Sequence, residues 1–283
     1  MTDMWPKAPT QWIDGGTLYI SIPFTWNLPD VKMQVSHTLF PHVIVGGPAV
    51  KLMPRFFDEI DKVEVQDNYP GVLQKVNPMA TRTTTGCPNK CKFCGIGEGR
   101  IEPGGIVELD DWKDLPILCD NNLFAASEAH FDRVMDRLEK WGWCDFNQGV
   151  DARRLNKHHA ERIARVKKPM IRLALDSLKY VDQWARAYTL LRKFKIAKHN
   201  IRSYALIGFD STPEEAWHRC ELIQSHGVKA LPMWFHALDA LQKNIVTTKQ
   251  RALGWNEEER KAIMQWYYKH RGERRYTNIK IAS

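Results

Sequence analysis

The chain has 283 residues, 43% of them apolar and 26% charged, enough for a large buried core and inconsistent with a disordered chain, a collagen repeat or a small disulfide scaffold. Lys plus Arg exceed Asp plus Glu by 41 − 33 = 8, a balance that favours anionic partners without naming one. No apolar run reaches the ~20 residues of a membrane span, and Met1 to Pro9 lacks the apolar core of a signal peptide, so the expectation is a cytoplasmic protein with no membrane partner.

In chain order, residues 18–22 read as a strand, 30–40 as helical turns, 43–45 as a strand stopped by Gly46-Gly47-Pro48, and 63–65 as a third short strand. This spacing suits a small Rossmann-like βαβ unit over residues 1–78, with 68–78 as its linker because Pro70-Gly71 and Asn77-Pro78 punctuate it. From Thr81 onward, strands at 81–85, 116–119, 145–146, 171–175, 201–207 and 230–235 alternate with helices at 127–141, 156–166, 180–195 and 212–226. Thr212-Pro213-Glu214-Glu215 is a helix start: an N-cap threonine, proline at the first helical position, and acids in the first turn. The expected fold class is α/β, a core of six parallel strand units over 79–245 followed by a basic helical tail over 246–283.

Three of the six cysteines crowd into Gly86-Cys87-Pro88-Asn89-Lys90-Cys91-Lys92-Phe93-Cys94, a C-x3-C-x2-C loop just after a predicted strand. Thiols clustered this tightly in a reducing compartment point to a metal, and three thiolates on one loop can each grip one iron of a four-iron cube, leaving the fourth iron open. Cys119, Cys144 and Cys220 are scattered singly and read as small buried residues. A Cys3His zinc site completed by a histidine such as His37 or His130 is the alternative, although no second cysteine pair is present.

The C-x3-C-x2-C spacing with Phe93 immediately before the third cysteine resembles the signature of the radical SAM superfamily. The resemblance implies a partial (β/α)6 TIM-like barrel, a 4Fe–4S cluster on Cys87, Cys91 and Cys94, and S-adenosylmethionine bound at the open iron. It further implies an electron donor such as flavodoxin or ferredoxin, and reductive cleavage of the cofactor to a 5′-deoxyadenosyl radical that takes hydrogen from a substrate. Ligands in parallel α/β arrangements sit at the carboxyl ends of strands, where this chain carries polar residues. Cys119-Asp120-Asn121-Asn122 stands where the family has Gly-Gly-Glu; it offers amides and a carboxylate to the methionine end, or forms an ordinary capped turn. Asn147-Gln148-Gly149-Val150-Asp151-Ala152-Arg153 resembles the cobalamin-associated and methylthiotransferase-like branches. The implied cofactor contacts are Phe93, Asn122 toward the methionine end, Gln148 on a ribose or an ammonium, Arg153 on a carboxylate, Asp176 with Ser177 at the ribose, and Ile207 with Gly208 against the adenine.

A Rossmann-like layer before such a core resembles the cobalamin-associated branch, but the D-x-H-x-x-G ligand loop is absent around His37, so cobalamin is not expected. Without a second cysteine triplet, a methylthiotransferase is disfavoured. His236 near the sixth strand is read either as a substrate contact or as a satisfied strand-end histidine. Basic residues gather over 153–172, over 186–202 and in the tail, where Lys269, Arg271, Arg274, Arg275 and Lys280 accompany Trp266, Tyr267, Tyr268 and Tyr276. Such mixtures suit RNA or another anionic substrate, and they also arise on solvated helix faces. The competing class is therefore a zinc-stabilised nucleic-acid-binding module without catalysis.

Overall fold

Burial largely alternates over Thr17–Ser21 and Val43–Gly46, so that Leu18, Ile20, Val43 and Val45 are buried while Tyr19 and Ile44 lie on the opposite face. Both segments are strands in the computed structural model, which describes residues 5, 8–66, 69 and 71–269. The chain divides into two compact units: Met1–Ala80 with Pro88–Gly105 and His236–Asn244, and Thr81–Cys87 with Ile106–Phe235 and Ile245–Ser283. No helix among the described residues is long and apolar enough to cross a membrane.

The first unit holds a four-stranded sheet in the order β1 (Thr10–Asp14), β2 (Thr17–Ser21), β3 (Val43–Gly46), β4 (Val63–Val65). Strands β2, β3 and β4 run parallel, as the βαβ reading expects, whereas β1 pairs antiparallel with β2 from Thr10↔Ser21 to Asp14↔Thr17. Helix α1 (Leu28–His37) buries Leu28, Val31 and Val35, and α2 (Pro48–Leu52) buries Ala49 and Val50. With Ile20, Ile22 and Phe57 these residues form the unit's own core. The expected linker is corrected in part: Val72–Val76 forms helix α3, and Asn68 and Pro70 lie outside the described residues.

The second unit contains β5 (Ala80–Thr81), β6 (Thr84–Cys87), β7 (Gly105–Glu108), β8 (Ile117–Leu118), β9 (Trp143–Phe146), β10 (Lys168–Ala174), β11 (Ile201–Ile207) and β12 (Lys229–Trp234). Six of them form a sheet in the order β12-β11-β10-β9-β8-β5, with parallel pairing from β8 through β12, and β6 pairs with β7. The sheet is open: no closed barrel is formed among the described residues. Helices α4 (Glu128–Trp141), α5 (Lys157–Arg165), α6 (Val181–Lys193) and α7 (Pro213–Ser225) follow β8, β9, β10 and β11 in turn, and α8 (Thr248–Ala252) and α9 (Glu257–Lys269) close the described chain. No helix separates β6 from β8, in keeping with the short glycine-rich connection there.

Local chemistry sets these boundaries. Ser127 and Asn156 cap α4 and α5, and Thr212 forms a full capping box with Glu215, as its sequence indicates. The expected first strand over 81–85 is instead broken in two. Thr81 accepts from Cys119 N at the sheet edge, and the next backbone N–H groups, of Thr83 and Thr84, are captured by the Asp120 carboxyl.

Helix α5 carries a titrating core residue that packs against α4. His159 is 4% exposed, stacked on Phe124 at 4.5 Å between ring centroids and edge-on to Phe131 at 4.6 Å. Burial pushes its pKa down to about 4, with His158 adding to the effect. The unfolded state therefore binds more protons between the ordinary value near 6.5 and about 4, so stability present above pH 6.5 is lost as pH falls through that window, by about 3 kcal/mol in all. Urea unfolding at pH 7.5 and pH 4.5 should show this loss in the wild type and a smaller one in His159→Phe. Equal acid sensitivity in both would assign the effect elsewhere.

Candidate active site at the strand ends

The site begins with a buried carboxyl. Asp120, 4% exposed just beyond β8, accepts through Oδ1 from the backbone N–H groups of Thr83 (2.8 Å) and Thr84 (2.5 Å) and from their hydroxyls (2.9 and 2.8 Å). Burial raises the pKa of Asp120, and these four bonds oppose the rise. Behind Thr83 stands His130, 1% exposed, whose Nε2 meets the Thr83 hydroxyl at 3.3 Å while Nδ1 accepts from Arg133 at 3.0 Å. Burial pushes the His130 pKa down, which suits a neutral ring donating to Thr83 as Thr83 donates to Asp120. Both ring nitrogens are thus engaged, which removes His130 as the fourth ligand of a zinc site; His37 lies exposed at the end of α1.

This clamp fixes the strand that ends in Cys87. Asn122, 2% exposed, donates from Nδ2 to Cys87 Sγ (3.5 Å) and to Asp151 Oδ2 (3.3 Å). Asp151 is gripped by Arg153 through Nε (2.7 Å), Nη2 (3.0 Å) and its backbone N–H (3.1 Å), and the Arg153 guanidinium lies over Tyr180. Three residues that sequence reasoning placed at or after strand ends are therefore linked in one chain of contacts, Cys87 to Asn122 and Asn122 through Asp151 to Arg153.

On the same sheet, Asp176 follows β10 and its Oδ1 accepts from Leu206 N at 2.9 Å; burial raises its pKa. Ser177 is half-buried beside it. Ile207 is fully buried at the end of β11, and Gly208 has φ +79° with the Trp234 ring so near that a β-carbon would stand 2.5 Å from it. Gln148, by contrast, is exposed. Arg172, missed as a positioning residue, forms a two-point pair with Asp145 (2.9 and 2.5 Å) and donates to Tyr204 Oη, which donates to Asn147 O.

In the first unit, Cys94 N donates to Cys91 O and Glu98 N to Cys94 O, each at 3.0 Å, winding the loop tightly. Gly97 permits this, because a β-carbon there would stand 2.6 Å from Cys91 N and 2.7 Å from Cys91 O. Phe93 is half-buried on the same loop. All six cysteines carry thiols rather than disulfides: Cys87, Cys91 and Cys94 are half-buried, and Cys119, Cys144 and Cys220 are buried, with Cys119 pushed up to about 12 by burial. Three soft thiol donors in C-x3-C-x2-C spacing fit an iron–sulfur cluster by donor chemistry. Among the described residues no three Cys, His, Asp or Glu side chains already stand together as a metal-ligand set, so the triplet's role rests on its spacing and donor type.

His236 takes the structural reading. Its ring packs on Trp26 at 4.6 Å, and its Nε2 accepts from Asn244 N at 2.9 Å. Four arginines of the basic run over 153–172 are paired with acids: Arg153 with Asp151, Arg162 with Asp132, Asp136 and Glu139, Arg165 with Glu161, and Arg172 with Asp145, while Lys157, Lys167 and Lys168 are exposed. The tail residues Arg271 to Lys280 lie outside the described residues.

No protein-family model matches the sequence, and no curated protein matches it. Among solved structures, the chain is similar to the radical S-adenosylmethionine methyltransferase TsrM from Kitasatospora setae with cobalamin and a 4Fe–4S cluster bound, at a TM-score of 0.51 and 12% identity over 76% of this chain. The same enzyme with tryptophan substrate and the analogue aza-SAM superposes at a TM-score of 0.49 and 12% identity, over 76% of this chain and 59% of that one. The chain spans 60% of the length of the cobalamin-bound form. What the likeness shows is a shared fold, a mixed α/β arrangement with parallel strands like that of a radical SAM enzyme.

Proposed function

We propose that the protein is a radical SAM enzyme whose core, residues 79–245, holds a 4Fe–4S cluster on Cys87, Cys91 and Cys94 beside a bound S-adenosylmethionine. The observation that carries this reading is the C-x3-C-x2-C triplet with Phe93 inside it, leaving a strand that Asp120 clamps at the end of a parallel sheet with the fold of a radical SAM methyltransferase. When bound, the two cofactors supply one-electron cleavage of a sulfonium to a carbon radical.

The chain's own residues hold and orient. In this reading Asp120 and Thr83 set the approach of Cys87, and Asn122 and the Asp151–Arg153 pair present polar groups to the cofactor's amino-acid end. In the same reading Asp176 and Ser177 bond the ribose, and Ile207 and Gly208 back the adenine. Phe93, half-buried on the cysteine loop, and the exposed Gln148 complete the cofactor contacts of this reading. Cobalamin has no part in this reading, because no histidine stands in a D-x-H-x-x-G loop.

Anaerobic reconstitution, followed by incubation with a low-potential reductant and S-adenosylmethionine, tests it. The wild type should contain iron and sulfide and release 5′-deoxyadenosine, and Cys91→Ala should lose both. Equal 5′-deoxyadenosine from the two proteins, or a colourless wild type carrying a single zinc, would end the proposal.

A further inference from the structure

We infer that Asn122 is a positioning residue that raises the reduction potential of the cluster through a hydrogen bond to the Cys87 sulfur, an inference resting on the reading that Cys87, Cys91 and Cys94 hold an iron–sulfur cube. The amide is 2% exposed and its Nδ2 has two acceptors, Cys87 Sγ at 3.5 Å and Asp151 Oδ2 at 3.3 Å, one for each N–H. Those acceptors fix its orientation. Turned over, the amide would set its carbonyl oxygen against a carboxylate.

Nor can the amide swing away freely. Asp151 is held by the Arg153 guanidinium at 2.7 and 3.0 Å, and the Asn122 backbone opens the short helical turn Leu123–Ala125, with Ala125 N donating to Asn122 O at 3.0 Å. Asn122 lies 35 residues from Cys87 and 29 from Asp151, so the contact is a product of the fold rather than of a local turn.

The consequence is electrostatic. One-electron reduction adds a negative charge spread over the irons and their sulfurs, including the cysteine sulfurs, while no bond forms or breaks. A donor N–H at one of those sulfurs stabilises the added charge, and in a buried site the effect is stronger than in water. The electron comes from a one-electron reductant, dithionite in the experiment below. Since the bond runs to the protein's own thiolate, it acts whether or not S-adenosylmethionine is bound, which separates it from any cofactor contact.

The full chain is reconstituted and titrated with dithionite without S-adenosylmethionine, and the reduced cube is followed by electron paramagnetic resonance. Asn122→Leu, branched alike at Cγ but without a donor, should shift the midpoint to more negative potential by roughly a tenfold change in the reduction equilibrium, ~59 mV for a one-electron couple. Asn122→Asp removes the donors, adds a charge and should shift it further the same way. An unchanged or more positive midpoint in Asn122→Leu overturns the inference. Should neither variant load a cube, the wild type decides: labelled with 15N-asparagine, its reduced cube should show a 15N coupling and an exchangeable proton in electron–nuclear double resonance, and their absence overturns the inference equally. A wild type without iron and sulfide brings down the underlying reading, and this one with it.

Discussion

Asp120→Ala should destabilise the protein by about 3–5 kcal/mol and prevent stable cluster loading, whereas Asp120→Asn should stay within about 1 kcal/mol of the wild type. One oxygen, Oδ1, takes all four bonds from Thr83 and Thr84, so alanine leaves two backbone N–H groups and two hydroxyls without their acceptor inside the protein. Asparagine keeps that acceptor. It also removes a charge whose burial is unfavourable, since desolvation raises the Asp120 pKa. The sign follows from linkage: with the folded pKa above the unfolded one, the native state binds more protons in between, so the wild type loses stability as pH rises from near 3.8 through its raised value. The asparagine variant, having no such proton, should gain on the wild type over that rise. Urea unfolding of the three proteins across pH, together with iron content after reconstitution, measures both effects. A stable, fully loaded Asp120→Ala would show that β6 does not depend on this clamp.

The clamp also shows where sequence reasoning reaches its limit. Cys119-Asp120-Asn121-Asn122 read equally as a capped turn and as a cofactor contact, because the partners of Asp120 lie 36 and 37 residues earlier. The signal available was the polar run Thr81-Arg82-Thr83-Thr84-Thr85, an odd composition for a buried strand and a natural one for a segment that bonds a carboxyl. Periodicity served well where burial is one-sided. The strands around Leu18, Val43, Ile171 and Ile201 and the capped starts at Ser127 and Thr212 lie within a few residues of their expected places. Strand β1 escaped because it is polar and mostly exposed, although the Gly15-Gly16 pair between it and β2 is a two-residue hairpin signal. Counting charges over 153–172 could not show that Arg162 and Arg172 are paired with acids brought in from α4 and β9. A one-dimensional count records residue types, and pairing is a property of the fold.

Gly208→Ala should cost about 2–5 kcal/mol, combining a left-handed backbone that alanine resists by roughly 1–2 kcal/mol with an overpacked contact of about 1–3 kcal/mol. The residue has φ +79°, and the new methyl would stand 2.5 Å from Trp234 Cζ3 and 2.8 Å from Cε3 and Cη2. The ring has little room to yield. Trp234 is 6% exposed and packs edge-on against Trp255 at 5.0 Å, and Trp255 is itself tied by its Nε1 to Ser211 O at 2.6 Å. Gly208 O accepts from Gln250 Nε2 at 2.8 Å, so a shift of the backbone to relieve the clash would strain the start of α8 as well. The damage should therefore appear in two places: a lower unfolding midpoint, and weaker S-adenosylmethionine binding to the reconstituted protein, since the end of β11 is the proposed wall for the adenine. Trp234→Leu in the same chain makes room for the methyl and should recover part of the stability while leaving the backbone strain. A Gly208→Ala protein as stable as wild type would mean that Trp234 yields easily. Full stability with weakened cofactor binding would assign Gly208 to the ligand rather than to packing.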